Sequence, residues 1–365
     1  MLELKRILCI VGSLDQGGAE TFLMKLFRNL DRTKYMMDFC VMNHKKGAYE
    51  EEIATLGGKV YHITSKSENP IECFLQIRNI VKQNLYETVM RINNNSLSSL
   101  DLFAAKCGGA KKLVMRSSNA NSSSKKGRIL HKMFRFLSEI PNIKIAPSKK
   151  AAEYTFGKKN TERGYVNFLH NGLPVEDFIF DLQKRKETRK ELNIENKFIV
   201  GHIGRFHNQK NHMFLIDVFY ELLKIREDSY LLLVGEGEKK TEILDKVKTM
   251  GIEEKVMFLE TRKDVSQLLS AFDILIFPSF FEGMPNVIIE AQASGLPCLI
   301  SDTITEEADI TGLVKYFSLE KTASDWAEEA ITHSTMFERR SYKEEFSVAG
   351  YDIETVVQRF VDLVF

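Results

Sequence analysis

The sequence lacks the features that mark several other kinds of protein. Its five cysteines show no C-x-x-C pair and no paired spacing, so we expect thiols of a reducing compartment and not disulfides. No Asp-x-Asp motif and no His or Cys cluster with ligand spacing occurs, so no metal site is predicted. No apolar run approaches the roughly 18 residues needed to cross a bilayer. The amino-terminal segment is predicted to be a first strand and not a signal peptide, which favours a cytoplasmic protein.

Excess charge of either sign is absent as well. The chain has 51 basic and 50 acidic residues, so no global field draws it to nucleic acid. No repeat of fixed period and no low-complexity segment interrupts it. With 365 residues it is long enough for two domains, each with its own core.

Short apolar segments alternate with amphipathic ones, the pattern of parallel sheets covered by helices on both faces. A strand over residues 7–11, a turn over 12–18 and a helix over 19–30 form the first unit. Further strands are predicted at 37–42, 60–63, 88–92, 112–115 and 143–146, and then at 198–203, 231–234, 256–259, 274–277 and 298–300. The fold class is therefore α/β, with two doubly wound, Rossmann-like domains facing across a cleft. Ligands are expected beyond the carboxyl ends of the strands.

Residues 280–290 set two carboxylates eight positions apart across a predicted helix start. Glu282 is expected in the turn, Pro285 at the first helical position and Glu290 on the helix. The amides of residues 283–286 would then point outward at the positive end of the helix dipole, which suits phosphate or sugar hydroxyls. A strand-to-helix turn with no ligand would give the same pattern.

Glycine-rich loops do not match the common nucleotide motifs. The turn at residues 12–18 lacks the G-x-G-x-x-G spacing, and Gly18 stands where an NTPase loop needs Lys. The isolated G-x-G at residues 235–237 is interpreted as a turn.

Residues 259–302, with GHIGRF at 201–206 and QKN at 209–211, resemble the retaining, nucleotide-sugar-dependent glycosyltransferases of family four. The chain is similar to the family's bacterial exopolysaccharide and capsule enzymes. The resemblance starts at GGAE, residues 17–20, continues through HNG, residues 170–172, and is loose between about 45 and 160.

The resemblance implies a GT-B fold with an acceptor domain over residues 1–175 and a donor domain over 176–351. The C-terminal helix, residues 352–365, is expected to pack back on the first domain. The polar span 177–196 fits a linker that leads into a surface helix.

The resemblance also implies roles for individual residues. Glu282, which contacts the donor sugar, and the diphosphate-binding Arg205 and Lys210 are the expected catalytic residues. Because no metal motif is present, these two cations would neutralise the leaving diphosphate, and neither metal nor cofactor is expected. The other expected donor-binding residues are Gly17, Gly18, Arg262 (against the base), Gly283, Met284, Pro285, Asn286 and Glu290 (on the ribose). Solvated surface cations and a ligand-free glycine turn are the alternatives.

The first domain departs from the family pattern. Many relatives carry His residues after the strand at 112–115, where this chain reads Arg116-Ser117-Ser118-Asn119, and neither Arg nor Ser replaces His as a proton acceptor. The donor phosphate could accept the proton instead. The expected acceptor-side residues are Asn94, Arg116, Ser118, Asn119 and Asn171, and a polar loop with no role is the alternative.

Residues 102–138 contain no acid but nine Lys and Arg residues. Ile129, Leu130, Met133, Phe134 and Leu137 fall at helical spacing among them. This pattern is typical of a helix on an anionic membrane surface, or of an ordinary core helix with a basic edge. The first interpretation predicts peripheral contact with the inner face of the cell membrane, where a lipid-linked acceptor would lie.

The predicted function is transfer, with retention, of a hexose or N-acetylhexosamine from a nucleotide-diphosphate sugar, most simply UDP-linked. The acceptor would be a lipid-linked or growing polysaccharide in exopolysaccharide or capsule biosynthesis. The alternatives are a sugar-nucleotide epimerase of the same architecture and a non-catalytic nucleotide-sugar-binding subunit.

Overall fold

The computed structural model describes residues 4–15, 17–93, 96–117, 131–282 and 284–365. The chain divides into two compact units. One contains residues 1–172 and 350–365, and the other contains residues 173–349. Each unit is a parallel sheet with helices on both faces.

The first unit has a seven-stranded sheet in the order β3-β2-β1-β4-β5-β6-β7. All of its neighbouring strands are parallel. The strands are β1 Lys5–Val11, β2 Tyr35–Val41, β3 Val60–His62, β4 Thr88–Asn93, β5 Lys112–Ser117, β6 Ile143–Ala146 and β7 Asn167–Phe168. The α-helices are Gly18–Asn29, Glu50–Thr55, Pro70–Asn84, Ser99–Gly108, Lys149–Phe156, Lys158–Glu162 and Ile353–Val364.

The C-terminal helix Ile353–Val364 belongs to this first unit. Val356, Phe360 and Val364 are buried in the same core cluster as β1 and the helix Gly18–Asn29. This long-range packing explains why the last residues of the chain fold with the first ones.

The second unit has a six-stranded parallel sheet in the order β10-β9-β8-β11-β12-β13. The strands are β8 Phe198–Ile203, β9 Ser229–Val234, β10 Val256–Leu259, β11 Ile274–Phe277, β12 Cys298–Ser301 and β13 Val314–Phe317. The α-helices are Val175–Phe178, Leu182–Glu191, His212–Ile225, Lys240–Thr249, Val265–Ala271, Asn286–Ala293, Ala323–Ser334 and Lys343–Val348.

The strand order reverses direction at one place in each sheet. In the first sheet β1 lies beside β4, and in the second β8 lies beside β11. In doubly wound sheets the loops that follow two such strands diverge and leave a crevice at the carboxyl edge. The loops after β8 and β11 are therefore where a ligand of the second unit is expected.

The predicted strands are present in the structure, with ends that shift by one or two residues, but two edge strands were missed. β7 has only two residues and both are exposed, so it carries no apolar signal. β13 has the burial of an edge strand, with only Val314 buried.

The span predicted as a linker is folded into the second unit. Its helix Leu182–Glu191 packs beside the helix Val265–Ala271. Arg185 and Arg189 both bind the carboxylate of Asp273, at 2.5 and 2.6 Å. That contact spans more than 80 residues of sequence, so local composition could not reveal it.

The predicted basic helix lies partly outside the described residues, which resume at His131. A helical turn at 131–133 is followed by the 3-10 helix Arg135–Glu139. Met133 and Phe136 are 64% and 67% exposed. These two apolar side chains are therefore at the surface and not in the core.

Candidate functional site

The two loops at the β8/β11 crevice are joined by an ion pair. Lys210 follows β8, Glu282 follows β11, and the Lys210 Nζ lies 2.8 Å from the Glu282 Oε1. The side chains are only 18% and 10% exposed. A pair this shielded is screened little by salt, and removing either member would leave the other charge poorly solvated.

Neighbouring contacts fix the same two loops to each other. The Gln209 side-chain amide donates to the carbonyl of Phe281 at 2.8 Å. The amide of Phe280 donates to the carbonyl of Gln209 at 2.9 Å. The Lys210–Glu282 pair therefore lies on a cross-linked frame, so its geometry is preorganised.

Aromatic rings lie beneath the lysine. The Lys210 ammonium is 4.4 Å from the centroid of the Phe277 ring, and that ring stacks on His202 at 5.1 Å. His202 in turn contacts His212 edge to face at 4.5 Å. The face of an aromatic ring attracts a cation, so Phe277 helps to hold the ammonium.

Both histidines are neutral in this environment. Burial lowers the pKa of His202 well below its usual value, and burial lowers the pKa of His212 to about 4. His202 Nδ1 lies 2.9 Å from the carbonyl of Ile276, so it must carry the proton and donate. Lys210 is consequently the cation of this cluster.

A cavity of about 490 Å³ lies at the same edge of the second sheet, beyond β8, β9 and β10. Gly235 and Gly237 have φ of +141° and +155°. A Cβ on either would lie 2.3 Å from a backbone oxygen of the loop after β8, so only glycine permits this close approach. The lining residues are Ile203, Gly204, Arg205, Val234, Gly235, Glu236, Gly237, Thr261, Arg262 and Val265.

At this cavity, the N–H groups along the edge of the Arg262 guanidinium are hydrogen-bonded to carboxylates. Its Nε and Nη2 donate to the two carboxylate oxygens of Asp264 at 2.8 and 2.5 Å, and Nη1 donates to Glu191 at 3.1 Å. The hydrogen bonds that Arg262 donates to Asp264 are the main reason that the pKa of Arg262 is raised. Because the bidentate edge is occupied, Arg262 is suited to stacking by its face and not to gripping a phosphate.

The other expected donor residues lie close to these loops. Arg205 is 75% exposed and 3.7 Å from Glu238, a loose pair that leaves its cation accessible. Met284 and Glu290 are half-buried, Glu290 within the helix Asn286–Ala293. Pro285 precedes that helix as its N-cap, at φ −77° and ψ 108°, one residue earlier than predicted. Gly283 lies outside the described residues.

In the first unit, Gly17 caps the helix Gly18–Asn29, with extended φ and ψ of −98° and 162°. A Cβ on Gly17 would lie 2.4 Å from the Glu20 carboxylate, whereas Gly18 faces open space. Burial raises the pKa of Glu20. The turn therefore packs a carboxylate against one glycine and leaves the other accessible.

Arg116 lies inside the first unit, at the carboxyl end of β5. It is 2% exposed, its guanidinium lies 3.6 Å above the Phe22 ring, and its Nη2 donates to the Asn171 side-chain oxygen at 2.6 Å. Burial lowers the pKa of Arg116 to about 9. The structure thus joins two of the five expected acceptor-side residues. The other three, Asn94, Ser118 and Asn119, lie outside the described residues.

Sequence reasoning missed several residues that support these sites. His202, His212 and Phe277 lie in segments that were recognised, but their aromatic rings gave no sign that they would meet Lys210. Asp264 is two residues from Arg262, so a local pair could have been proposed. Glu191 is 71 residues away, and nothing in the sequence indicates its contact.

Two features are absent from the described part of the chain. No group of three or more His, Cys, Asp or Glu side chains there is arranged to hold a metal ion. No helix there is long and apolar enough to span a membrane.

Comparison with known proteins identifies the family. The family model described as glycosyl transferases group 1 matches residues 197–333. The putative glycosyltransferase EpsF of Bacillus subtilis (strain 168) is 33% identical over 359 residues, 96% of this chain and 94% of that protein. The chain belongs to the group 1 glycosyltransferases.

Two further proteins extend this comparison. The N-acetylgalactosamine-N,N'-diacetylbacillosaminyl-diphospho-undecaprenol 4-alpha-N-acetylgalactosaminyltransferase of Campylobacter jejuni is 25% identical over 309 residues, 80% of this chain and 79% of that protein. Anabaena Alr3699/HepE, crystallised with UDP, superposes with a TM-score of 0.81 at 19% identity, over 98% of this chain and 99% of that chain. This glycosyltransferase therefore has the GT-B fold.

The neutral histidine pair predicts how the stability of this glycosyltransferase depends on pH. The folded pKa of His212, about 4, lies below its usual value of 6.5. Its contribution is present above pH 6.5 and is lost as the pH falls through 4, because the unfolded chain takes up the proton first. The free energy of unfolding should fall by about 3 kcal/mol across this window, and less in His212→Phe.

Urea titrations at pH 7 and pH 4.5 measure this difference. The single Trp326 is buried in the same unit, so its fluorescence reports the relevant unfolding. An equal loss of stability in both proteins would show that the folded state does not exclude the proton from His212.

Proposed function

We propose that this glycosyltransferase moves a hexose or N-acetylhexosamine, with retention of configuration, from a UDP-sugar to a lipid-linked or growing polysaccharide. The observation that carries the proposal is the Lys210–Glu282 pair at the β8/β11 crevice, beside the cavity that contains Arg205 and Arg262. Cations, a carboxylate and a stacking surface are what a diphosphate, a sugar and a base require.

The nucleobase is assigned to the cavity beyond β8, β9 and β10. Arg262 presents its guanidinium face there while Asp264 and Glu191 hold its edge, which favours stacking on a flat ring. The UDP in the Anabaena relative supports uracil as the base. Glu290 would accept hydrogen bonds from the ribose hydroxyls.

The diphosphate is assigned to Arg205 and Lys210. As the glycosidic bond breaks, negative charge develops on the leaving phosphate oxygens, and the two cations would stabilise it without a metal ion. Glu282 would hold the sugar hydroxyls and so orient the anomeric carbon. The donor phosphate would accept the proton of the incoming hydroxyl.

The acceptor is assigned to the first unit. Asn171 can donate and accept hydrogen bonds, and its orientation is set by the bond from Arg116. The Campylobacter jejuni relative is named for a diphospho-undecaprenol acceptor, which supports a lipid-linked saccharide. The similarity to EpsF supports a role in exopolysaccharide or capsule assembly.

Peripheral docking on an anionic membrane would bring the enzyme to such an acceptor. Met133 and Phe136 are exposed beside the exposed Lys132. Apolar side chains that enter the headgroup region, together with cations that attract anionic lipid, give reversible binding. The cations Lys125, Lys126 and Arg128 of the same segment lie outside the described residues.

A first prediction concerns charge neutralisation. Donor hydrolysis and transfer should persist in excess chelator, because Arg205 and Lys210 replace a metal. Lys210→Ala should lose on the order of a hundredfold in kcat/KM if one phosphate contact supplies about 3 kcal/mol to the transition state. Lys246→Ala, which removes a partly buried lysine of the same unit, is the matched control. Activity that disappears in chelator and returns with a divalent ion would contradict the metal-free mechanism.

A second prediction separates the two glutamates. Glu290→Ala should weaken the binding of UDP and of UDP-sugar alike, because both contain the ribose. Glu282→Ala should not weaken the binding of UDP but should lower turnover. Calorimetry with UDP on both variants decides the matter, and an equal loss of UDP affinity in both would refute the division of roles.

A third prediction concerns the membrane. The purified protein should co-sediment with vesicles rich in anionic lipid at low salt and be released as salt rises. The triple variant Lys132→Glu, Met133→Ser, Phe136→Ser should not bind, while its activity on a short soluble acceptor should persist.

The pair Lys248→Glu, Met336→Ser, at exposed positions of the second unit, is the control and should bind like the unmodified protein. If the unmodified protein ignores anionic vesicles at low salt, the docking proposal is wrong.

A further inference from the structure

The residue proposed to bind the diphosphate of the donor and the residue proposed to bind its sugar are bound to each other in the structure. Lys210 is assigned to the diphosphate and Glu282 to the sugar, yet they form a 2.8 Å ion pair. Both charges are thereby satisfied in a site where each is mostly shielded from water. A donor bound as proposed would offer a phosphate to Lys210 and sugar hydroxyls to Glu282 as new partners.

Lys210 can change partners without moving its stem. The Lys210 Cε lies 3.3 Å from the point that a Cβ on Gly204 would occupy, so the side chain runs closely over this glycine. Phe277 supports the ammonium from one side at 4.4 Å. Rotation about the last bonds of the lysine is sufficient to turn its N–H groups from a carboxylate to a phosphate, while the cation–π contact persists.

Within the described part of the chain, the Glu282 carboxylate has no second partner that corresponds to Phe277. Its hydrogen bond and ion pair are both with Lys210, and it is 10% exposed. If a phosphate takes Lys210, the carboxylate loses its cation and faces another anion. A buried charge left in this way is costly, because water cannot replace the lost partner.

Resting on the function proposed above, we infer that the Lys210–Glu282 pair selects the intact donor over the free nucleoside diphosphate. A diphosphate alone takes the lysine and leaves the carboxylate unsatisfied. A diphosphate that carries a sugar also supplies hydroxyl groups, which donate to Glu282 and restore its partners. The same exchange favours departure of the nucleoside diphosphate after transfer, because the pair re-forms once the sugar has left.

Calorimetry of Glu282→Gln with UDP and with UDP-glucose, UDP-galactose and UDP-N-acetylglucosamine tests the exchange. Gln has nearly the shape of Glu but no charge, so it holds Lys210 less strongly and does not repel the diphosphate. UDP should bind about tenfold tighter than to the unmodified enzyme, and the preference for the best UDP-sugar over UDP should fall by a similar factor. The higher affinity for UDP should also appear as slower product release.

Two further variants complete the experiment. Asp217→Asn removes the carboxylate of another lysine pair in the same unit, Lys246–Asp217 at 2.6 Å, and should leave the UDP affinity unchanged. Glu282→Ala repeats the charge removal with a different side chain, and the fluorescence of Trp326 shows whether each variant is folded.

The possible outcomes separate this inference from the proposed function. Equal UDP affinity in the unmodified enzyme and in folded Glu282→Gln and Glu282→Ala would overturn the exchange while leaving the function standing. A tighter UDP complex with an unchanged preference for the UDP-sugar would also overturn it. If the unmodified enzyme binds neither UDP nor any of the UDP-sugars, the assignment of the donor fails and the exchange fails with it.

Discussion

The ion pair between Lys210 and Glu282 is the interaction around which the second unit organises its chemistry. It connects the loop after β8 with the loop after β11, the two strands at which the sheet order reverses. Because the strand order reverses there, the two loops diverge, and contacts between them are needed to hold them at a fixed separation. The ion pair and the backbone bond from Phe280 to Gln209 do this.

The surroundings of the pair limit its charge. His202 and His212 are buried next to Lys210, and burial keeps both neutral. A second cation here would repel the lysine, and a second carboxylate would compete for it. Because these neighbours are aromatic and uncharged, Lys210 carries the positive charge of this cluster. Arg262 is also held by its neighbours. The edge of its guanidinium is hydrogen-bonded to Asp264 and Glu191, and the face of the guanidinium remains available.

Much of this fold can be predicted from the sequence because its signals are local. The apolar runs that form β6, β8, β10 and β11 are short and bounded by polar turns, so their predicted bounds match the structure. The two-residue β7 and the half-buried β13 lack such runs. The helix Leu182–Glu191 lies in the span predicted as a linker that leads into a surface helix, and its attachment to the second unit could not be predicted because arginines bound to Asp273 make it.

For the candidate site, the sequence predicts the positions of the main residues but not the contacts between their side chains. Glu282, Lys210 and Arg205 lie at sheet-edge positions that motif and topology both indicate. Their contacts with one another depend on side-chain packing between segments that are distant in sequence. The same is true of the Phe277 ring beneath Lys210 and of the bond from Arg262 to Glu191. Arg116, which is expected on the acceptor side, lies over Phe22 and donates to Asn171, and neither contact is indicated by the sequence.

The most direct test of the account is the stereochemistry of donor cleavage. The enzyme would be incubated with UDP-, GDP- and ADP-sugars in which the sugar is α-linked to the diphosphate. NMR would follow the anomeric proton of the sugar as it is first released or transferred. The account predicts that a UDP-sugar is consumed and that the product first formed keeps the α configuration. A β product, or consumption of none of the UDP-sugars while a GDP- or ADP-sugar is cleaved, would contradict it.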